Sequence, residues 1–293
     1  MERFAYSLIL ISCFMHASWN LLARRRKRGA LIFFHRMVTL AVPVSLVAMA
    51  IGLFFPHSFP PRAWLCVIAS GAICGFYYWF LGLAYSESDF TIVYPVARAL
   101  PVLAVALVAD VSRGRYPSGV GWVGLLMVVG GCVLAPQVSY RNFDFKRYGT
   151  RDILWIVLTA ATIVGFTTFD KIAAEVVKQG PASAAIYCSL FHIVSCISYV
   201  VIHAVFAKEK GKDEQVGWKW PAVGALLGYV TYTLVLWAYQ LAPKASYLLA
   251  FRQFSIVIGV VLAFRVYRER GLAVRLPATL AIVAGMVLLV TYG

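Results

Sequence analysis

Two arginines lie inside apolar stretches that are long enough to cross a membrane. Arg98 is near the middle of residues 90–109, and Arg252 lies near the start of residues 245–267, within reach of the lipid headgroups. A charge at the bilayer centre costs about 2.5–3.5 kcal/mol on insertion scales, so it needs a partner or a water-filled cavity. A guanidinium suits a carboxylate, phosphate or phosphonate. The alternative is that Arg98 pairs with an internal acid and only holds helices together.

The end of the first apolar stretch carries a polar face. His16 and Asn20 are four residues apart, so they share one side of a helix, and Trp19 lies beside it. Interhelical hydrogen bonding is the plainer use of such residues. Because histidine ordinarily titrates near neutral pH, His16 is also a candidate for proton coupling.

Asp170 closes the sixth apolar stretch and is the most deeply embedded acid. It is a candidate partner for an internal cation, or a proton carrier. Glu87 and Asp89 fall in a short connection and are expected to be solvated.

Two stretches combine glycines and tyrosines on one helix face. The third has Gly71, Gly75 and Gly82 with Tyr78 and Tyr85, and the eighth echoes this pattern. Small residues let helix backbones approach closely, and the tyrosines either pack or line a cavity. Tyr77 and Trp79 point elsewhere and are expected to face lipid. The complete set of predicted substrate-binding residues is Arg98, Arg252, Tyr94, Trp19, Asn20, Tyr78, Tyr85, Tyr232, Tyr239 and Gln253.

The composition excludes a soluble domain. Of the 293 residues, 61% are hydrophobic and only 13% are charged. The net charge of +15 does not indicate nucleic-acid binding, because lysine and arginine accumulate in the cytoplasmic loops of membrane proteins. The cysteines lie in apolar runs without C-x-x-C spacing, so neither a metal site nor a disulfide frame is predicted. No cofactor is expected.

Ten membrane-spanning helices are predicted, which makes the chain an all-α integral membrane protein. Lysine and arginine are roughly three times as frequent in the odd-numbered connections as in the even-numbered ones, which predicts that the odd connections are cytoplasmic. The predicted spans are 4–23, 31–55, 63–85, 90–109, 119–136, 153–174, 182–206, 220–241, 245–267 and 273–292.

An internal repeat relates the two arginines. At an offset of 154 residues, Tyr78 aligns with Tyr232 and Arg98 with Arg252. Five helices per copy is an odd number, so the second copy is inverted in the membrane. We predict a first repeat at 1–136, a linker at 137–151 and a second repeat at 152–293. Inverted repeats around a midplane site are typical of secondary transporters that work by alternating access.

The sequence resembles the drug/metabolite transporter superfamily, in its EamA-type branch of ten-helix carriers. The resemblance is carried by HASWN in span one, YPVARALPVLAVALVAD in span four and FDK in span six, and by the glycine-rich spans five and ten. The first two motifs are similar to a subgroup associated with phosphonate utilisation. Family members often carry an acid after spans four and nine, where this chain has Asp110 and Glu269. The family is often drawn with cytoplasmic termini. The charge count predicts the opposite, because cytoplasmic odd-numbered connections place both termini outside.

These patterns predict a secondary transporter in a bacterial inner membrane. Its partners would be the lipid bilayer and a small zwitterionic or anionic metabolite, such as an amino acid or a phosphonate. A carrier or flippase for a phosphate-bearing lipid is the alternative. The signatures of hydrolases, metalloproteases and P-loop ATPases are absent from the sequence, so no enzyme activity is predicted. A monomer would contain both halves, and a dimer is not excluded.

Overall fold

Ten α-helices make up the regular structure of the described residues. A computed structural model describes residues 2–25, 29–57, 59–104, 118–144, 151–177, 180–207, 216–241 and 252–292, and no strand occurs among them. The prediction of an all-α, ten-helix protein is therefore confirmed. The helices are α1 Glu2–Arg24, α2 Ala30–Gly52, α3 Pro61–Glu87, α4 Phe90–Ala104, α5 Gly119–Leu134, α6 Arg151–Val176, α7 Gly180–Phe206, α8 Lys219–Leu241, α9 Phe254–Tyr267 and α10 Leu272–Tyr292.

The lengths and surfaces of these helices are those of a multi-pass membrane protein. Six of the described helices (α2, α3, α6, α7, α8 and α10) are long and apolar enough to cross a bilayer, and α4, α5 and α9 are shorter apolar helices. Residues 105–109 and 245–251, which complete two predicted spans, lie outside the described residues. Large apolar side chains such as Leu65, Leu126 and Val205 are exposed, as expected of residues that face lipid.

Helices that are five apart in the chain order make equivalent contacts. α1 packs on α8, and their equivalents α6 and α3 also pack together. In the same way α1 packs on α9, and α6 packs on α4. The equivalent helices also meet each other, in the pairs α2 with α7, α4 with α9 and α5 with α10. This exchange is the arrangement expected of two related five-helix units that face each other.

Glycines permit the closest of these contacts. A Cβ on Gly75 of α3 would lie 2.8 Å from the backbone nitrogen of Tyr199 in α7. A Cβ on Gly124 of α5 would lie 2.7 Å from the carbonyl oxygen of Gly285 in α10. Both distances are shorter than a methyl group tolerates. The predicted role of the α3 glycines in close packing therefore agrees with the structure at Gly75, whereas a Cβ on Gly228 of α8 would meet open space.

An ion-pair network joins α1, α4 and α10 at one end of the bundle. Arg275 Nη1 lies 2.9 Å from Asp89 Oδ2 and 3.9 Å from Glu269 Oε2. Glu269 accepts hydrogen bonds of 3.0 Å from the backbone N–H groups of Phe90 and Thr91, which begin α4. The expectation that Asp89 is merely solvated is wrong. A carboxylate at a helix start also interacts favourably with the helix dipole.

The described parts of the odd-numbered connections lie on one face of the bundle. Arg24, at the end of α1, donates to the carbonyl of Ser88 in the third connection, 3.0 Å away. Arg36 near the start of α2 donates to the carbonyl of Gly217 in the seventh connection, at 2.8 Å. The ninth connection contacts the fifth, where Gly271 lies against Val138. The described parts of these connections therefore meet at the same end of the bundle.

Candidate functional site

Arg98 lies in a buried cluster with His16 and Tyr94. Arg98 Nη2 contacts His16 Nε2, and the guanidinium carbon lies 5.9 Å from the centre of the Tyr94 ring. Tyr94 also stacks on His16, with ring centres 6.1 Å apart. α4 brings Tyr94 and Arg98 to one face because they are four residues apart. Pro95 and Pro101 lie inside the same helix and cannot donate backbone hydrogen bonds.

His16 is contacted by its neighbours on the polar face of α1. Trp19 Nε1 donates to His16 Nδ1 at 3.2 Å, and Asn20 Nδ2 donates to the His16 carbonyl at 2.9 Å. The hydroxyl of Tyr85 donates to Asn20 Oδ1 at 3.0 Å. We call His16, Trp19, Asn20, Tyr85, Tyr94 and Arg98 the arginine cluster.

Donors outnumber acceptors around the His16 ring. A neutral imidazole has one acceptor nitrogen, yet Arg98 and Trp19 present N–H groups to its two nitrogens, and Asn20 Nδ2 lies 3.3 Å from Nε2. Arginine cannot accept a hydrogen bond. No ion pair of Arg98 occurs within the part of the chain that the structure describes. Asp170 accepts hydrogen bonds from three hydroxyl groups instead. The cluster is therefore suited to receive an anion.

Tyrosines of α3 extend the arginine cluster toward α6. Tyr78 meets Trp19 edge-on at 6.3 Å, and Tyr77 lies beside Arg98 and packs on Phe166 of α6 at 5.5 Å. Tyr77 and Trp79 are only 5% and 7% exposed, so the prediction that they face lipid is wrong. The reason is that α3 packs against α2, α6 and α7 together, which covers more than one of its faces.

Arg252 and Gln253 lie just before α9, beside α1. The carbonyl of Arg252 accepts a hydrogen bond from the Cys13 thiol at 3.5 Å, one helical turn from His16. Both residues are partly buried. Tyr94 contacts the start of α9 as well, because a Cβ on Gly259 would lie 2.8 Å from its ring. The side chain of Tyr239 lies outside the described part of the chain.

Asp170 forms the centre of a second cluster. Its Oδ1 accepts hydrogen bonds from the hydroxyls of Ser70 at 2.5 Å and Tyr187 at 2.9 Å, and its Oδ2 accepts one from Tyr232. Asp170 is 6% exposed, and its donors come from α3, α7 and α8. We call these four residues the carboxylate cluster. Sequence reasoning identified Asp170 and Tyr232 separately but missed both their contact and the two other donors.

Most of the predicted site residues thus belong to one of two clusters. The arginine cluster is built mainly by α1, α3 and α4, and the carboxylate cluster by α3, α6, α7 and α8. α3 contributes to both, through Tyr85 and Ser70. Phe191 stacks on Tyr232 at 4.6 Å and contacts Phe166, so aromatic rings continue from the carboxylate cluster toward Tyr77.

Comparison with known proteins agrees with this architecture. The model of the EamA-like transporter family matches residues 3–135, which confirms the resemblance to that family for this part of the chain. A solved structure, described only as the crystal structure of a protein, is 18% identical. It matches with a TM-score of 0.61 over 98% of this chain and 99% of its own, so the two share a fold. No curated protein matches the chain. The chain is a multi-pass membrane protein, and the family match supports a general role in transport.

Proposed function

We propose that the chain is a secondary active transporter of a small zwitterionic or anionic metabolite, such as an amino acid or a phosphonate. The observation that carries this proposal is the arginine cluster, in which a partly buried guanidinium has neighbours rich in donors and no acidic partner among the described residues. Intramembrane ionisable residues usually serve substrate or ion pathways. A carboxylate or phosphonate would supply the missing negative charge.

The arginine cluster offers separate contacts for the two ends of a zwitterion. The planar fork of Arg98 can bind a carboxylate or phosphonate through two parallel hydrogen bonds. The faces of Trp19 and Tyr94 can hold an ammonium group by cation–π attraction. Arg252, Gln253, Tyr78, Tyr232 and Tyr239 complete the proposed site.

Alternating access would follow from the two related sets of helices. In the proposal, residues 1–136 and 152–293 form inverted repeats joined by 137–151, and they rock against each other around the site. The recurring helix pairs support this arrangement. Movement between the repeats would also change the contacts of Asp170, since its donor Ser70 belongs to the first repeat and its donors Tyr187 and Tyr232 to the second.

Proton coupling is assigned to His16 and Asp170. Both side chains are buried, titratable and hydrogen-bonded to groups on neighbouring helices or turns. We further propose a bacterial inner membrane with the odd-numbered connections in the cytoplasm. The grouping of those basic connections on one face supports this orientation.

The test is counterflow in proteoliposomes loaded with single amino acids or alkylphosphonates. Wild-type protein should show saturable uptake of at least one of them, and Arg98→Ala should lower kcat/KM at least about hundredfold because the charged anchor is lost. Arg62→Ala is the matched control, because Arg62 is exposed at the start of α3. Equal uptake by wild type and Arg98→Ala would reject the role of Arg98.

The lipid alternative is tested in the same vesicles. Transbilayer movement of a fluorescent phosphate-bearing lipid, together with no uptake of any soluble anion or zwitterion, would replace the proposal by a lipid carrier or flippase. Movement of lipid equal to that in protein-free vesicles, with saturable solute uptake, would support the proposal.

A further inference from the structure

An open cleft lies at the end of the bundle where the odd-numbered connections meet. Its volume is about 480 Å³. Arg24, at the cleft, is two helical turns along α1 from His16. The cleft is lined by Arg24, Asp89, Val138, Tyr267, Arg268, Glu269, Arg270 and Arg275.

The two acids of the cleft are already neutralised. Asp89 is bound by Arg275 at 2.9 Å and by Arg24 at 3.6 Å. Glu269 accepts from the Thr91 hydroxyl at 2.6 Å and from the first N–H groups of α4. Four arginines therefore face two acids, and the cleft keeps a positive charge.

Donor capacity remains unused in the cleft. The Nε atom of Arg275 is buried and has no hydrogen-bond partner, although the residue is only 1% exposed. Arg268 and Arg270 are exposed at the edge and have no hydrogen bond or ion pair among the described residues.

Arg268 has a left-handed backbone conformation, which is usually adopted by glycine. It ends α9 with φ of 51°, in the left-handed region where glycine is favoured. A non-glycine residue there is strained, and such strain is concentrated at functional positions. The side chain of Arg268 lines the cleft.

We propose that this cleft is a binding site for a phosphate group, distinct from the proposed transport site. Arginine binds phosphate through two parallel charge-assisted hydrogen bonds. The four arginines approach the cleft from α1 (Arg24), the ninth connection (Arg268 and Arg270) and α10 (Arg275). The phosphate belongs either to an anionic lipid headgroup at the membrane surface or to a soluble phosphate compound. Basic pockets between membrane helices are known to suit lipid headgroups. The site does not depend on what the transporter carries.

Thermal unfolding of the purified full-length protein tests the site with inorganic phosphate. Phosphate should stabilise the wild-type protein saturably beyond chloride at equal ionic strength. Arg268→Gln with Arg270→Gln should weaken the apparent affinity at least about tenfold, because two charged contacts are lost. The matched control is Arg141→Gln with Arg265→Gln. This change removes the same charge from exposed positions outside the cleft and should leave the affinity within about twofold of wild type.

Lipid nanodiscs distinguish the two sources of the phosphate group. If the occupant is a lipid headgroup, replacing phosphatidylcholine by phosphatidylglycerol should stabilise wild type and control but not the cleft variant, and added phosphate should have little further effect. If it is a soluble compound, phosphate should act equally in both lipids. Equal responses of wild type, control and cleft variant to phosphate and to lipid would overturn the proposal. A phosphate effect no greater than that of chloride, together with no effect of phosphatidylglycerol, would also overturn it.

Discussion

Arg98 and Arg275 are both arginines held within the helix bundle, and their surroundings differ. Arg275 is 1% exposed and contacts Asp89, Thr91 and Glu269, so its charge is neutralised within the protein. Arg98 contacts His16 and Tyr94, and no acid pairs with it in the part of the chain that is described. The difference separates two surroundings of an arginine inside the bundle. Arg275 is paired with carboxylates of the protein, and Arg98 has no such partner among the described residues.

The comparison also explains which loss the fold can tolerate. Removing one member of a buried ion pair leaves the other charge uncompensated, which is strongly destabilising. Removing Arg98 leaves no carboxylate unpaired among the described residues, because Arg98 forms no ion pair with any of them. Loss of Arg275 should therefore lower mainly the stability of the protein, and loss of Arg98 should lower mainly its transport activity.

The largest expected effect is on stability at Arg275. Arg275→Met should lower the free energy of unfolding by about 3–5 kcal/mol, because Asp89 and Glu269 lose their common partner. Arg98→Met should change it by less than about 1 kcal/mol, the scale of a change that leaves no charge uncompensated. Both are measured by denaturant unfolding in detergent micelles.

A second substitution serves as the control for this contrast. Glu269→Gln keeps an acceptor oxygen for one of the two N–H groups of α4 and removes the charge, so it should recover part of the loss when it is combined with Arg275→Met. Additive effects of the two changes, or equal destabilisation by Arg98→Met, would contradict the distinction.

Substitution of glycine by alanine measures the steric part of helix packing, because it changes no charge. Gly75→Ala should destabilise by about 1–3 kcal/mol, since the new methyl group would collide with Ser198 and the backbone of Tyr199. Gly228→Ala, where nothing lies within 4 Å, should be neutral within about 0.5 kcal/mol. Unfolding of the two variants under identical conditions provides the measurement, and equal losses at both positions would show that the close approach of α3 and α7 is not limiting.

The smallest effect is expected at Asp170, a buried acid with hydroxyl donors instead of a cation. Asp170→Asn should reduce proton-driven accumulation of substrate about tenfold while exchange of substrate across the vesicle membrane continues, because the amide cannot carry the proton. Asp152→Asn, at the start of the same helix, is the control. Loss of exchange and accumulation to the same extent would assign Asp170 to substrate binding or folding instead of coupling.

Much of the architecture is predictable from local sequence. The bilayer sets the length of each apolar stretch, so the helices and the depth of Arg98 follow from composition and position. The shared face of His16 and Asn20 follows from helical spacing alone. The burial of Tyr77 and Trp79 does not, because it depends on how many neighbours surround α3.

The contacts between distant residues required the tertiary structure. Sequence placed Asp89 in a short polar connection and said nothing of Arg275, 186 residues away. It identified Asp170 as an embedded acid without the hydroxyls of Ser70, Tyr187 and Tyr232 that hold it. Helix formation is a local consequence of hydrogen bonding in an apolar medium. The partner of each buried charge is decided by which helices meet, and that choice depends on the packing of the whole bundle.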